Sequence, residues 1–148
     1  MVHNSVRSLL TEQSLVVLSP GQTVFEAAAI FSAHNIGGAP VLDGGRLVGV
    51  FTERDILRRV VALACDPKAT RVADVMTSDP RTIDAGTSLV NAFAIMSKGQ
   101  FRHLPVVGDD GTVVAMLSMR DIPAEYRIMH RQWVAWTAGS DAFPAAAI

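Results

Sequence analysis

"SPGQTVFEAAAIFSAHNIGGAPVL" spans residues 19–42, and "DAGTSLVNAFAIMSKGQFRHLPVV" spans residues 84–107. Laid over one another at a constant offset of 65, they set Gly21 on Gly86, Ile30 on Ile95, Pro40 on Pro105 and Val41 on Val106. "GDDGTV" carries one residue more than "DGGRLV", which moves the offset to 66 and sets Arg54-Asp55-Ile56 on Arg120-Asp121-Ile122. The likeness runs through most of two segments, 9–63 and 74–126. The chain is therefore read as an internal duplication, and that duplication governs the fold.

Each copy carries the same order of local signals. "SLVVLS" and "RTID" are short extended entries. "TVFEAAAIFSAHN" puts Val24, Ala27, Ala28 and Phe31 on one helical stripe, opened by a Thr23–Glu26 capping box. "LVNAFAIMSKG" repeats the stripe with Leu89, Phe93 and Met96, with Gly99 as the expected stop. "APVLDGGRLVGVF" and "LPVVGDDGTVVAML" each hold two apolar runs around a Gly/Asp turn, which predicts β-hairpins. A second helix is expected after each hairpin, over "TERDILRRVVALA" and "MRDIPAEYRIMHRQW". The unit is β-α-β-β-α, twice: an α+β fold of two repeats with small mixed sheets and pseudo-two-fold symmetry. Neither copy is large enough to bury a good core alone, so the two should pack together, sheet to sheet. The pattern sets residues 1–8 apart as an N-terminal extension, 64–73 as a linker and 127–148 as an amphipathic segment with a loose tail.

The bulk numbers narrow the function classes. Of 148 residues, 49% are apolar and 18% charged, enough for a real core and too ordered for a disordered chain. A net charge of −1 argues against nucleic acid as a partner, since phosphate binding shows as clustered excess Lys and Arg. Cys65 is the one cysteine and can form no intrachain disulfide, which suits a reducing compartment. No secretory leader and no run of the ~20 apolar residues needed for a span is visible, so a cytoplasmic protein is expected and a membrane partner is not. The histidines and Cys65 have no metal-ligand spacing, and no nucleophile–base arrangement, Walker loop or GxGxxG stands out. No enzyme activity and no catalytic cofactor are expected.

The ordered pairs "IGGAPV" and "FRHLPVV" before the hairpins, "FTERDI" and "LSMRDI" after them, and "VADVMT" entering the second copy resemble a tandem CBS domain pair, or Bateman module. The resemblance implies a cleft between the repeats that takes adenosine-containing ligands such as AMP, ADP, ATP or S-adenosylmethionine. It further implies a regulatory role toward an unidentified protein target, and a homodimer formed through helices. Asp55 and Asp121 would accept from ribose hydroxyls. Thr52, Ser118, Arg54 and Arg120 would face phosphate, with Arg102 and His103 as further phosphate contacts. Ile36, Gly38, Ala39, Pro40, Phe101, Leu104 and Pro105 would line the base slot, and Thr82 would join the site from the second entry strand. Elementary chemistry agrees: a hydroxyl at a helix start is an anion site, and an acceptor-only carboxylate suits a vicinal diol.

Two readings of Thr52-x-x-Asp55 stay open, because a capping box alone has the same spacing. A ligand-independent dimerisation or scaffold module is accordingly the alternative function. The copies also differ. Gly37-Gly38 stand where the second copy has Arg102-His103, Gly49 where it has Ala115, and Pro123 follows Asp121-Ile122 directly. That proline predicts a late or kinked second helix in copy two. Tyr126, Met129, Trp133 and Trp136 form an aromatic-rich stripe beyond it, suited to covering a flank or joining a dimer.

Overall fold

A computed structural model of the protein describes residues 4–10 and 14–138. The expected end of the tail, "SDAFPAAAI", lies outside the described residues. A short 3₁₀ turn at Val6–Leu9 leads to α1 (Val24–His34), β1 (Gly38–Asp43) and β2 (Arg46–Thr52). Next come α2 (Glu53–Asp55), which runs on as a π-helix over Ile56–Val61, α3 (Val72–Val75) and β3 (Thr77–Ser78). The second copy provides β4 (Ile83–Asp84), α4 (Leu89–Gly99), β5 (His103–Val107), β6 (Val113–Ser118), a 3₁₀ turn at Met119–Asp121 and α5 (Ala124–Ala138). None of these helices is long and apolar enough to cross a membrane.

The duplication holds at the level of single hydrogen bonds. β1 pairs antiparallel with β2, and β5 with β6. Entry residue Leu18 bridges Val41 in parallel, as Ile83 bridges Val106 at the same offset of 65. Both sheets are small; the second is mixed, while in the first the strand pairs are antiparallel and the Leu18 bridge is the parallel contact. The Thr23–Glu26 capping box is formed, with the Glu26 N–H donating to Thr23 Oγ1 at 3.2 Å. Ser88 caps α4 in the equivalent way, accepting from the Asn91 N–H at 3.1 Å. Val24, Ala27 and Phe31 are buried on α1, and Leu89, Ala92, Phe93 and Met96 on α4.

The chain exchanges segments between its halves. Val6 is fully buried in the second core, among Ile83, Leu89, Met96, Leu104, Val106, Leu117 and Ile122. Val72 and Val75 are buried in the first, among Leu18, Val24, Phe31, Val41 and Phe51. The backbone bonds repeat the exchange. The Val6 N–H donates to Thr87 O and the Leu89 N–H to Asn4 O, while the Val72 N–H donates to Gln22 O and the Val24 N–H to Thr70 O. Residues 4–10 thus close the second core, and the "VADVM" stretch that precedes the second copy closes the first. Each repeat keeps its own apolar cluster, and β1 and β6 lie against one another between them.

Two local expectations are corrected, and the late second helix that Pro123 predicts in copy two is found. Gly99 does not stop α4; Gln100 takes the left-handed position (φ 57). Glycine is needed at 99 because a Cβ there would meet the Phe101 ring. In copy one the second helix is short and turns π-helical, with the Ala62 N–H donating to Leu57 O and the Cys65 N–H to Val60 O. In copy two it begins anew at Ala124, because Ile122 before Pro123 is held extended (ψ 122).

Gly49 has its own reason. A Cβ there would stand 2.9 Å from the backbone oxygen of Thr77 and against Met76, where β3 pairs with β2. Ala115, at the equivalent position of β6, faces no such third strand among the described residues. Gly49→Ala is expected to lose the β2–β3 pairing and about 1–3 kcal/mol by urea denaturation, as overpacking against backbone does.

Candidate functional site

Two clefts lie at the junction of the repeats. The larger, about 690 Å³, is walled by Thr52, Glu53, Arg54 and Asp55 from copy one and Gln100, Phe101, Arg102 and His103 from copy two. The smaller, about 460 Å³, sets Ser118 and Arg120 of copy two against Asn35, Ile36 and Gly37 of copy one. The two share Arg102, His103 and Glu53.

Thr52 is the hinge between strand and helix. Its extended backbone ends β2, and its hydroxyl accepts from the Asp55 N–H at 3.4 Å. Asp55 returns the cap: Oδ2 accepts from the Thr52 N–H at 2.9 Å and from its hydroxyl at 3.1 Å. Asp55 is the one buried charged residue among those described. Burial raises its pKa above the ordinary value, against the opposing pull of the Thr52 bonds, Arg59 and Arg54. Such a carboxylate keeps acceptor capacity for further donors from the cleft. Ser118 and Asp121 form the matching box, with the Ser118 N–H donating to Asp121 Oδ2 at 2.7 Å. Asp121 is exposed, and it lines neither cleft.

The opposing wall comes from the turn after α4. The Met119 N–H donates to Arg102 O as the Glu53 N–H donates to Gly37 O, so each helix start is pinned to the lip of its own copy. Arg54 adds a bond from Nη1 to Gln100 O at 2.7 Å across the larger cleft. His103 packs against Gly38: a Cβ at 38 would lie 3.0 Å from the imidazole and 3.1 Å from Thr52 Cγ2. Glycine at this position lets the histidine seat between the copies.

Burial pushes the His103 pKa below 6.5; Arg102 and Arg120 act the same way, and Glu53 and Asp121 oppose them. The fold therefore binds fewer protons at His103 than the open chain does. Stability should be full above pH 6.5 and fall as the pH drops toward the depressed value. Melting temperatures between pH 7.5 and 5.5 check this, and His103→Gln should flatten part of the decline.

Of the sequence candidates, Thr52, Arg54, Asp55, Phe101, Arg102 and His103 meet in the larger cleft, and Ile36, Ser118 and Arg120 in the smaller. Gly38 and Pro40 are buried in β1 and Pro105 in β5, while Ala39 and Leu104 belong to the two cores. Thr82 is exposed and lines neither cleft. The pattern missed Arg58, Arg59, Asp79, Pro80 and Arg81, which also line the larger cleft. Asp79 adopts φ 55 and turns the chain from β3 into that wall. "SDPR" shows in the sequence only as a loop, and no repeat partner marks it. Five arginines line this cleft against three carboxylates, Glu53, Asp55 and Asp79, an anion-binding balance in a chain of net charge −1. No cluster of three or more His, Cys, Asp or Glu suited to a metal occurs among the described residues.

The family model for the CBS domain matches residues 6–62 and again 72–125. The chain belongs to the CBS domain family. The CBS domain-containing protein YhcV of Bacillus subtilis (strain 168) is 35% identical over 119 residues, covering 80% of this chain and 83% of that one. Among solved structures, CBS domain protein PAE2072 from Pyrobaculum aerophilum, complexed with AMP, matches with TM-score 0.75 at 27% identity, over 86% of this chain and 98% of that one. The CBS domain pair of protein MJ0100, in complex with 5′-methylthioadenosine and S-adenosyl-L-methionine, matches with TM-score 0.70 at 29% identity, over 86% and 97%. The two matched segments of this CBS pair coincide with the halves whose segments are exchanged.

Proposed function

We propose that this CBS pair is a non-catalytic sensor that binds an adenosine-containing ligand in the larger cleft and passes its state to a protein partner through a change of shape or assembly. The observation that carries this is the meeting of Thr52 and Asp55 with Arg102 and His103 across one cleft. Asp55 is the acceptor for the ribose diol, and Thr52 with the arginines takes the phosphate. The AMP complex of PAE2072 and the complex of MJ0100 with two adenosine derivatives support the ligand class. The arginine excess favours a phosphate-bearing ligand over the sulfonium compound.

The protein works in the cytoplasm as a homodimer. Leu57 and Val61 on one second helix, and Ile128, Met129, Trp133 and Val134 on the other, are exposed large apolar groups that suit burial against a second copy. Isothermal calorimetry with AMP, ATP and S-adenosylmethionine, paired with light scattering, tests both parts. Saturable binding of AMP or ATP is expected, with S-adenosylmethionine weaker, on a particle of twice the chain mass.

One observation favours a second reading, a ligand-independent scaffold. Both capping boxes are complete without ligand, so their residues have a structural use of their own. Absence of heat for all three compounds, with the dimer intact, would select it.

A further inference from the structure

Arg59 differs from the other arginines of the larger cleft in being committed on two sides. Its Nη1 donates to Val75 O at 3.0 Å and Met76 O at 2.9 Å, the end of α3 and the residue that enters β3. Its Nε stands 3.8 Å from Asp55 Oδ1. These partners belong to different segments of the chain. Asp55 lines the cleft beside Thr52, while the chain after Met76 runs through β3 into Asp79, Pro80 and Arg81, which line it as well. One guanidinium therefore bridges the buried carboxylate of the cleft and the root of the 79–81 segment that also lines it.

The remaining ties of α3 do not reach the cleft. The Val72 N–H donates to Gln22 O and the Ala73 N–H to Pro20 O, and Val72 and Val75 are buried in the first core. A four-residue helix leaves its last carbonyls without intrahelical partners, and Arg59 satisfies two of that region. The planar fork of arginine can serve carbonyls and carboxylate together, which a lysine ammonium on a flexible stem does poorly. Val60, its neighbour on the π-helix, is buried and anchors the stretch that carries it.

We infer that Arg59 is a positioning residue that makes occupation of Asp55 and seating of residues 75–81 a single event. The inference rests on the adenosine-ligand reading above. Ribose hydroxyls donating to Asp55 fix the carboxylate; the fixed carboxylate holds Arg59, and Arg59 holds the end of α3. Ligand capture thus reaches the stretch that joins the two repeats.

Hydrogen–deuterium exchange on the full chain, with AMP as the probe, tests it at residues 72–76, which line neither cleft. In the unsubstituted protein AMP should slow exchange there several-fold, as it does at Thr52–Asp55. Arg59→Gln should raise ligand-free exchange at 72–76, remove the AMP effect at that segment, and leave protection of Thr52–Asp55 at about tenfold weaker AMP affinity. Arg59→Lys should follow Arg59→Gln at 72–76. Undiminished AMP protection at 72–76 in Arg59→Gln would overturn the inference, as would a rise in exchange spread evenly over both cores. Should AMP protect nothing in the unsubstituted protein, the ligand reading fails by itself. The coupling is then decided without ligand: Asp55→Asn must loosen 72–76 as Arg59→Gln does, and a segment left unchanged refutes it.

Discussion

Asp55→Ala should abolish the stabilisation expected from AMP or ATP, while costing the ligand-free protein little. At a hundred times its dissociation constant, a ligand adds about 2.7 kcal/mol to the unsubstituted protein. On the proposed reading the variant removes the acceptor of two ribose hydroxyls, each bond to a charged group contributing about 1.5–3 kcal/mol. Affinity should fall by roughly a hundredfold or more, so the same ligand concentration produces almost no shift of the melt. The ligand-free cost is the lost cap, about 0.5–2 kcal/mol. It is moderated because the carboxylate is buried at a penalty, visible in its raised pKa. Thermal melts of both proteins with and without nucleotide separate the two terms. A full ligand shift retained in Asp55→Ala would leave Asp55 as a cap and nothing more.

Removal of residues 1–10 should cost more than any surface change. Val6 is fully buried in the second core, and its burial is worth about 1.5–3 kcal/mol. Three backbone bonds go with it, from the Val6 N–H to Thr87 O, the Arg7 N–H to Ala85 O and the Leu89 N–H to Asn4 O. At about 1 kcal/mol each, they bring the loss to about 4–6 kcal/mol. The side-chain bond from the Tyr126 hydroxyl to Asn4 Oδ1 at 2.8 Å is lost as well. Set against a typical total of about 5–15 kcal/mol, this should leave the second repeat unfolded or nearly so at ambient temperature. The first repeat should outlast it, because its equivalent segment, Val72–Val75, lies inside the chain. Urea denaturation followed by tryptophan fluorescence reads the second repeat directly, since Trp133 and Trp136 both lie on α5. A truncated chain within about 1 kcal/mol of the full one would show the exchange to be dispensable.

Why one aspect was legible and another was not can be seen at particular residues. The stripes on α1 and α4 follow from a 3.6-residue period, and the Thr23 cap from the chemistry of capping boxes, both local properties. Pro123 forces Ile122 to stay extended, so the restart of the last helix is local as well. Val6 carries no such mark. An isolated valine in a polar stretch looks the same whether it covers its own repeat or its neighbour's. Likewise Gly99 reads as a helix stop by its residue type, yet it serves the Phe101 ring, which only packing reveals.

The candidate cleft divides in the same way. Thr52, Asp55, Ser118 and Asp121 were findable because duplication writes them twice, and their capping bonds span three residues. Arg59, Asp79 and Arg81 were not, since their place depends on contacts such as Arg59 to Met76, seventeen positions apart. The inequality of the clefts was half legible: Gly37-Gly38 against Arg102-His103 is written in the chain. That Asp121 stands exposed while Asp55 is buried is not.

By itself, then, the sequence determined the duplication, the β-α-β-β-α order and the two helix starts, because periodicity, caps and turns act over a few residues. The tertiary structure alone decided which segment completes which core, and which arginines gather over one cleft. Those outcomes depend on burial and hydrogen bonding between residues far apart in the chain, where the same side chain can serve either half.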